Sequence, residues 1–294
     1  MTTMNEMSEA MMDADLASWV GRSNRTVDRV SPTPVAALAA TLDRGDPPPK
    51  DGDVLPPLWH WLYFLPCYRT SEAGPDGHVR RGAFLPPIPL PRRMWAGGRL
   101  TFHAPLHIGE AIVRESQIVD ITQKAGRSGP LAFVVLRHTI SGEGGVAIVE
   151  EHDIVYRDEA KGAERASGAA PAPVDAAWSH EIHPDPVLLF RYSALTFNSH
   201  RIHYDRRYVA DVEGYPGLVV HGPLIATLLV DLLRRAMPHA TLGAFSFRAT
   251  SPLFDSEPFF VRGQPARDHA SVRLWAASPH GALAMDATAT LAVR

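Results

Sequence analysis

The stretch Gly222 to Pro238, GPLIATLLVDLLRRAMP, constrains the fold more than any other part of the chain. From Leu224 to Leu233 nearly every position is apolar, and Leu224, Ile225, Leu228, Leu229, Leu232 and Leu233 cover most of a helix's circumference. A helix apolar on all sides needs a core around it. Gly222 falls where an N-cap belongs and Pro223 at the first helical position, where its missing N–H costs nothing. Arg234 and Arg235 sit at the end the dipole favours for cations, and Pro238 stops the helix. Strand-like runs follow: GAFSFRATSPLF, PFFVRGQP, ASVRLWAAS and ALAMDATATLAV. The last alternates, with Met285, Ala287, Ala289, Leu291 and Val293 on one side and Asp286, Thr288 and Thr290 on the other. Helix then meander predicts an α+β fold, an antiparallel sheet wrapped around one buried helix.

The first half repeats the plan loosely. SPTPVAALAATLD offers Thr33 as a cap and Pro34 as first helical residue, with Val35, Leu38 and Leu42 in helical register. GRLTFHAPL, EAIVRESQIVDITQKA, PLAFVVLRHTIS and VAIVEEHDIVYRD then read as strands. Between helix and strands lies an aromatic, proline-rich insertion, PPPKDGDVLPPLWHWLYFLP. The stretch Asp158 to Ala177, rich in Ala, Gly, Pro and charge, reads as an exposed linker. The expected organisation is therefore 1–158, a linker at 159–177, and 178–294. LLFRYSALTF, early in the second half, is expected to be a strand.

A net charge of -3 gives the 294-residue chain no attraction for nucleic acid. The single cysteine, Cys67, excludes an intrachain disulfide and a cysteine-rich zinc module. The N-terminal residues lack the basic and apolar regions of a signal peptide, and no run approaches a membrane span. A cytoplasmic location is expected.

The chemistry concentrates in FNSHRIHYD, Phe197 to Asp205. Three readings are open: a solvated loop, a metal site using His200, His203 and Asp205, or acid–base chemistry by an imidazole that titrates near ~6.5. Downstream, VVHGPL aims the start of the apolar helix back at this loop. Backbone N–H groups of Gly222 and Leu224 there can hold an oxyanion, which suits chemistry beside a carbonyl. His221 reads as an anchor for the helix start, and Asp205 and Glu213 as loop charges.

YSALTFNSHRIHYD followed by EGYPGLVVHGPL resembles the MaoC-like hydratase/dehydratase family, which adopts hot-dog folds and acts on acyl thioesters. PPLWHWLYFLP, RRGAFLPPIPLPRRMWAGGRLTF and SGPLAFVVLRHTIS resemble its branch of itaconyl-CoA and mesaconyl-CoA hydratases and fungal-type mitochondrial 3-hydroxyacyl-thioester dehydratases. The resemblance implies a double hot-dog, each half a sheet around a central helix, with one active site per chain. It implies an acyl-CoA substrate, no redox cofactor and no metal, and it admits a homodimer.

The family signature G-D-x-N-P-x-H places its histidine on His203, its aspartate on Asn198 and its asparagine on His200. His203 is the implied proton carrier, with Asn198 and His200 positioning water. Asn198 orients water but cannot take its proton. Arg201, which stands at the family's proline, and Arg191 are the candidates for a dicarboxylic substrate's far end. Trp59 and Trp61 are the candidates for the acyl tunnel. For CoA phosphates the chain offers Arg92–Arg93, Arg206–Arg207 and Arg234–Arg235. The resemblance thus implies addition of water to a short, dicarboxylic 2-enoyl-CoA thioester; a 3-hydroxyacyl-thioester dehydratase of fatty-acid metabolism, an acyl-CoA thioesterase and a non-catalytic acyl-CoA binder are the competing readings.

Overall fold

The computed structural model describes residues 16–126, 129–158 and 169–292. The expectations on the extreme N-terminus, on Val293 and on linker residues 159–168 lie outside the described residues. In chain order come β1 (Ser23–Arg29), α1 (Pro32–Thr41), β2 (Arg92–Phe102), β3 (Ala111–Gly126), β4 (Gly129–Gly142) and β5 (Gly145–Arg157). The second half holds β6 (Trp178–Ile182), α2 (Pro186–Leu195), α3 (Gly222–Ala236), β7 (Leu242–Ala249), β8 (Phe259–Pro265), β9 (Ser271–Ala277) and β10 (Leu283–Leu291).

One ten-stranded sheet runs through the molecule in the order β1-β3-β4-β5-β2-β7-β10-β9-β8-β6. The halves meet where β2 pairs antiparallel with β7, from Gly97 opposite Arg248 to Thr101 opposite Ala244. That seam explains its two glycines. A Cβ on Gly97 would come within 2.6 Å of the Phe247 carbonyl oxygen, and one on Gly98 within 2.9 Å of the Glu151 carbonyl oxygen.

Helix α3 lies against β6, β8, β9 and β10, and every residue from Leu224 to Leu233 is buried. Its one buried acid, Asp231, accepts from Arg235 Nε at 2.6 Å and is closely bonded to Arg44. A lone buried carboxylate would be costly, and these guanidinium groups remove that cost. Its N-cap is His221, so Gly222 and Pro223 move one place into the helix, which still keeps proline in the first turn. The halves are not equivalent. Helix α1 packs chiefly on α2 and on the short turn Trp59–Leu62. It begins two residues earlier than expected, with Ser31 as N-cap and Pro32 rather than Pro34 leading.

Two further expectations are corrected. LLFRYSALTF is helical, not extended: Asp185 caps α2 by accepting the Leu188 N–H at 2.8 Å, and Pro186 leads it. Leu189, Tyr192 and Ser193 are its buried face, at helical spacing. The described end of the expected linker is anchored along the second half. Ala170 and Ala172 bond to Leu283 and Gly281, each at 2.8 Å, and Ala177 bonds to Gly263 at 2.9 Å.

Candidate active site

The polar loop leaves α2 through Phe197, whose φ of 50° lies in the left-handed region. That conformation is unfavourable for a residue with a Cβ. Phe197 holds it while packing edge-on against Tyr68, at 6.2 Å between centroids. Asn198 then closes a local turn, its Oδ1 accepting the His200 N–H at 3.0 Å. A short 3₁₀ turn, Arg201–His203, carries His200 and His203 inward.

His203 is buried, and its Nδ1 donates to the Val219 carbonyl at 2.7 Å. A carbonyl only accepts, so this bond fixes the tautomer and leaves Nε2 as a bare proton acceptor. The ring stacks on His221 at 3.6 Å and 17°. His221 is itself fully buried and bonded through Nε2 to the Ser193 hydroxyl at 2.8 Å. Burial pushes His203 down to about 4, against the opposing pull of the Val219 bond. His221 is pushed well below the ordinary histidine value, again first by burial. Both rings are neutral at physiological pH.

His200 stands edge-on to His203, with centroids 5.6 Å apart. On its other side, at 4.2 Å, is His78 from the first half of the chain. The His78 Nδ1 donates to Asp76 Oδ2 at 3.2 Å. Burial, then His78 and His203, push His200 down to about 2. His78 is lowered by burial and by Arg93, although its bond to Asp76 works the other way. The loop carrying this pair is fastened to the polar loop by main-chain and side-chain bonds. Arg201 N–H donates to the Asp76 carbonyl at 2.9 Å, and the Ser199 hydroxyl donates to the Gly77 carbonyl at 2.6 Å. Tyr68 joins both Gly77 and Ser199. Gly77, with φ at 91°, presses so closely on Ser199 that a Cβ would collide with its carbonyl.

The start of α3 completes the site. Gly222 is half-buried and Leu224 fully buried, and the first-turn N–H groups are those a helix leaves unpaired. The main-chain carbonyl of Trp95 on β2 lies 3.9 Å from where a Gly222 Cβ would stand, so β2 runs directly beneath the helix start.

Other expected residues are placed differently. Arg201 is committed to structure: Nε and Nη2 hold Asp205 at 3.0 and 2.8 Å, and Nη1 holds the Pro75 carbonyl at 3.1 Å. Its plane also lies over Tyr208. Arg191 is exposed on α2. Trp59 is core, capped by Arg234 at 5.3 Å. Trp61 forms an aromatic wall with Trp95 and Phe247 and donates Nε1 to Glu150 at 3.0 Å. Asp205 caps the next turn, and Glu213 pairs with Arg92 at 3.2 Å. Of the arginine pairs, Arg206 is bound to Asp255, while Arg207 is 91% exposed. Arg234 and Arg235 both lie on Asp231.

Among the described residues, two groups of side chains bring donor atoms within 4.8 Å of one another, as a metal ion would need: Asp76, His78 and His200, and His138, Glu150 and His152. In the second, burial pushes Glu150 up, but His152 and His60 outweigh it and hold the carboxyl well below its ordinary range. Asp76 and His78 were not singled out from sequence. Their one sequence signal is the Asp-Gly-His turn itself, which says nothing of its distant partner.

A doubled antiparallel sheet with a buried neutral imidazole stacked at a helix N-terminus is the arrangement of the hot-dog hydratases and dehydratases of acyl thioesters. The comparisons agree. The family model for hydroxyacyl-thioester dehydratase type 2 matches residues 58–255. A mesaconyl-C(4)-CoA hydratase of Chloroflexus aurantiacus is 48% identical over 281 residues, covering 96% of this chain and 99% of that protein. Among solved structures, a MaoC-like dehydratase superposes with a TM-score of 0.69 at 14% identity, covering 95% of this chain and 100% of the other. A Mycobacterium tuberculosis protein described as having a double hotdog fold superposes at 0.56 and 14% identity, covering 93% and 96%. The chain belongs to the hydroxyacyl-thioester dehydratase type 2 family and is a hydro-lyase.

Proposed function

We propose that this enzyme adds water to a short 2-enoyl-CoA thioester bearing a second carboxylate, of the mesaconyl-C4-CoA or itaconyl-CoA kind, or runs the reverse dehydration. The observation that carries the reading is the unprotonated Nε2 of His203, fixed by the Val219 carbonyl and placed beside the start of α3. The 48% identity to a mesaconyl-C(4)-CoA hydratase supports the choice of substrate.

The thioester oxygen accepts hydrogen bonds from the Gly222 and Leu224 N–H groups, which draws electrons from the β-carbon. Nε2 of His203 takes a proton from water as the oxygen bonds to that carbon. The imidazolium then returns the proton to the α-carbon, so the addition is balanced without a redox partner. His221 keeps the ring plane fixed, and the Asn198 turn holds His200 against it. Neither a metal nor a redox cofactor enters this scheme. Chelator-treated enzyme should therefore keep its rate, and stoichiometric zinc whose removal abolishes turnover would overturn this part.

We propose a cytoplasmic location, as for an enzyme acting on acyl-CoA; separately, no helix among the described residues is long and apolar enough to cross a membrane. A homodimer is supported by Val187 and Phe190, exposed on the outer side of α2. Sedimentation velocity tests this. The decisive experiment for the reaction is mass spectrometry of products from mesaconyl-C4-CoA, itaconyl-CoA and crotonyl-CoA. A gain of one water supports a hydratase, whereas release of free CoA thiol without hydration would make the protein a thioesterase.

A further inference from the structure

We propose that Arg93, with Tyr156, is the receptor for the substrate's distal carboxylate. The inference rests on the hydratase reading for its substrate class, and on the following geometry for its place. Arg93 and Tyr156 face each other across the β2–β5 ladder, so their side chains share one face of the sheet. Tyr156 is fully buried, and its hydroxyl makes no well-formed hydrogen bond, although the Arg93 guanidinium is near enough to act on it. A buried hydroxyl without a partner costs stability, and such atoms in native proteins call for an explanation.

The local charge balance points the same way. Among the described residues, Arg93 has no carboxylate within ion-pair distance, unlike its neighbour Arg92, which holds Glu213. Arg81, whose guanidinium lies 5.4 Å from the centre of the Tyr156 ring, also lacks one. It is spent on the carbonyls of Ile88, Leu90 and Pro91. Two half-buried guanidinium groups around one buried hydroxyl make a cluster that is short of an anion. Arg93 is also close enough to the catalytic side to act electrostatically on both His78 and His200.

The spacing fits a four-carbon diacid. The Trp95 carbonyl abuts the α3 start, where the thioester oxygen binds, and Arg93 is two residues away on the same strand face. Two strand residues span about 6–7 Å. With ordinary bond lengths, the outer oxygens of a butenedioyl chain lie about 6 Å apart. A thioester held at Gly222 thus sets its far carboxylate at Arg93, with the Tyr156 hydroxyl free to donate a second bond. Arg201 cannot serve, because Asp205 and Pro75 already hold it.

The test uses non-reacting ligands, so it does not depend on turnover. Succinyl-CoA and butyryl-CoA differ at the far end in carboxylate against methyl. Their Kd values are measured by calorimetry for wild type, Arg93→Gln and Arg93→Lys, with circular dichroism as the check on folding. Wild type should prefer succinyl-CoA, Arg93→Gln should lower that preference by about 10–100-fold, the worth of a charge-assisted pair, and Arg93→Lys should retain part of it. A wild type with no preference, or an Arg93→Gln variant that keeps it, overturns the proposal. Hydration of crotonyl-CoA by wild type, followed separately, reports on the hydratase reading alone.

Discussion

In the proposed mechanism His203 and Asn198 divide the work of the loop between chemistry and shape. Replacing His203 by alanine removes the proton carrier and should lower kcat by roughly two to four orders of magnitude, the usual share of a general base. The fold should survive, and an active variant would move the role to His200. Because burial pushes His203 to about 4, it remains unprotonated well below the pH at which a free imidazole charges. The acid limb of kcat/KM should therefore fall toward pH 4; a limb near 6.5 would mean that His203 is not the base. Asn198 acts through the turn it makes with the His200 N–H. Asn198→Asp keeps that acceptor but puts a negative charge near His203, so the variant should stay folded with its acid limb displaced upward. Asn198→Ala should lose activity without such a displacement. The H-x-x-H pair and the helix start were legible because they lie close together along the chain. Asp76, His78 and Arg93 were not, because only tertiary docking brings them to the site.

At the scale of elements, the loop carrying Asp76 and His78 is the piece whose placement is most specific. Gly77 satisfies two demands at once, a left-handed backbone and contact with the Ser199 carbonyl. Gly77→Ala should lift the loop from the catalytic loop, at a cost above about 1 kcal/mol. Hydrogen exchange at the Arg201 amide, which donates to Asp76, should accelerate, and kcat/KM should fall; unchanged exchange would mean the loop is not held there. Strands β2 to β5 and β7 to β10 were readable from their apolar runs and α3 from its nearly continuous apolar stretch, whereas the short, polar β1 and β6 were not. Helix α2 was not, because Leu188, Leu189, Phe190 and Tyr192 make an apolar run too short to show its period, and the Asp185–Pro186 cap was the signal to weigh. Helix α1 was readable as a helix although its start lies earlier than expected, and its packing on α2 was not, since propensity does not reveal what a helix packs against.

Across the whole molecule, buried neutral histidines tie stability to acidity. The folded-state values of His203, near 4, and His138, near 3, lie below that of an unfolded histidine, about 6.5. The unfolded chain therefore binds protons first as pH falls, so this stability is complete above about 6.5 and drains toward pH 4. Each such group contributes at most about 1.4 kcal/mol per pH unit in that window. The urea midpoint should drop clearly between pH 7.5 and 5, and a flat profile would mean these rings are protonated in the fold. The seam between β2 and β7 has a different consequence. A chain cut between residues 158 and 169 would give two pieces, each with an unsatisfied row of main-chain donors and acceptors where the other belongs. Neither piece would hold His78 against His200, so neither would be an enzyme alone. Mixed together, they would reassemble by fragment complementation, and while the pieces remain dilute, activity would rise with the product of their two concentrations.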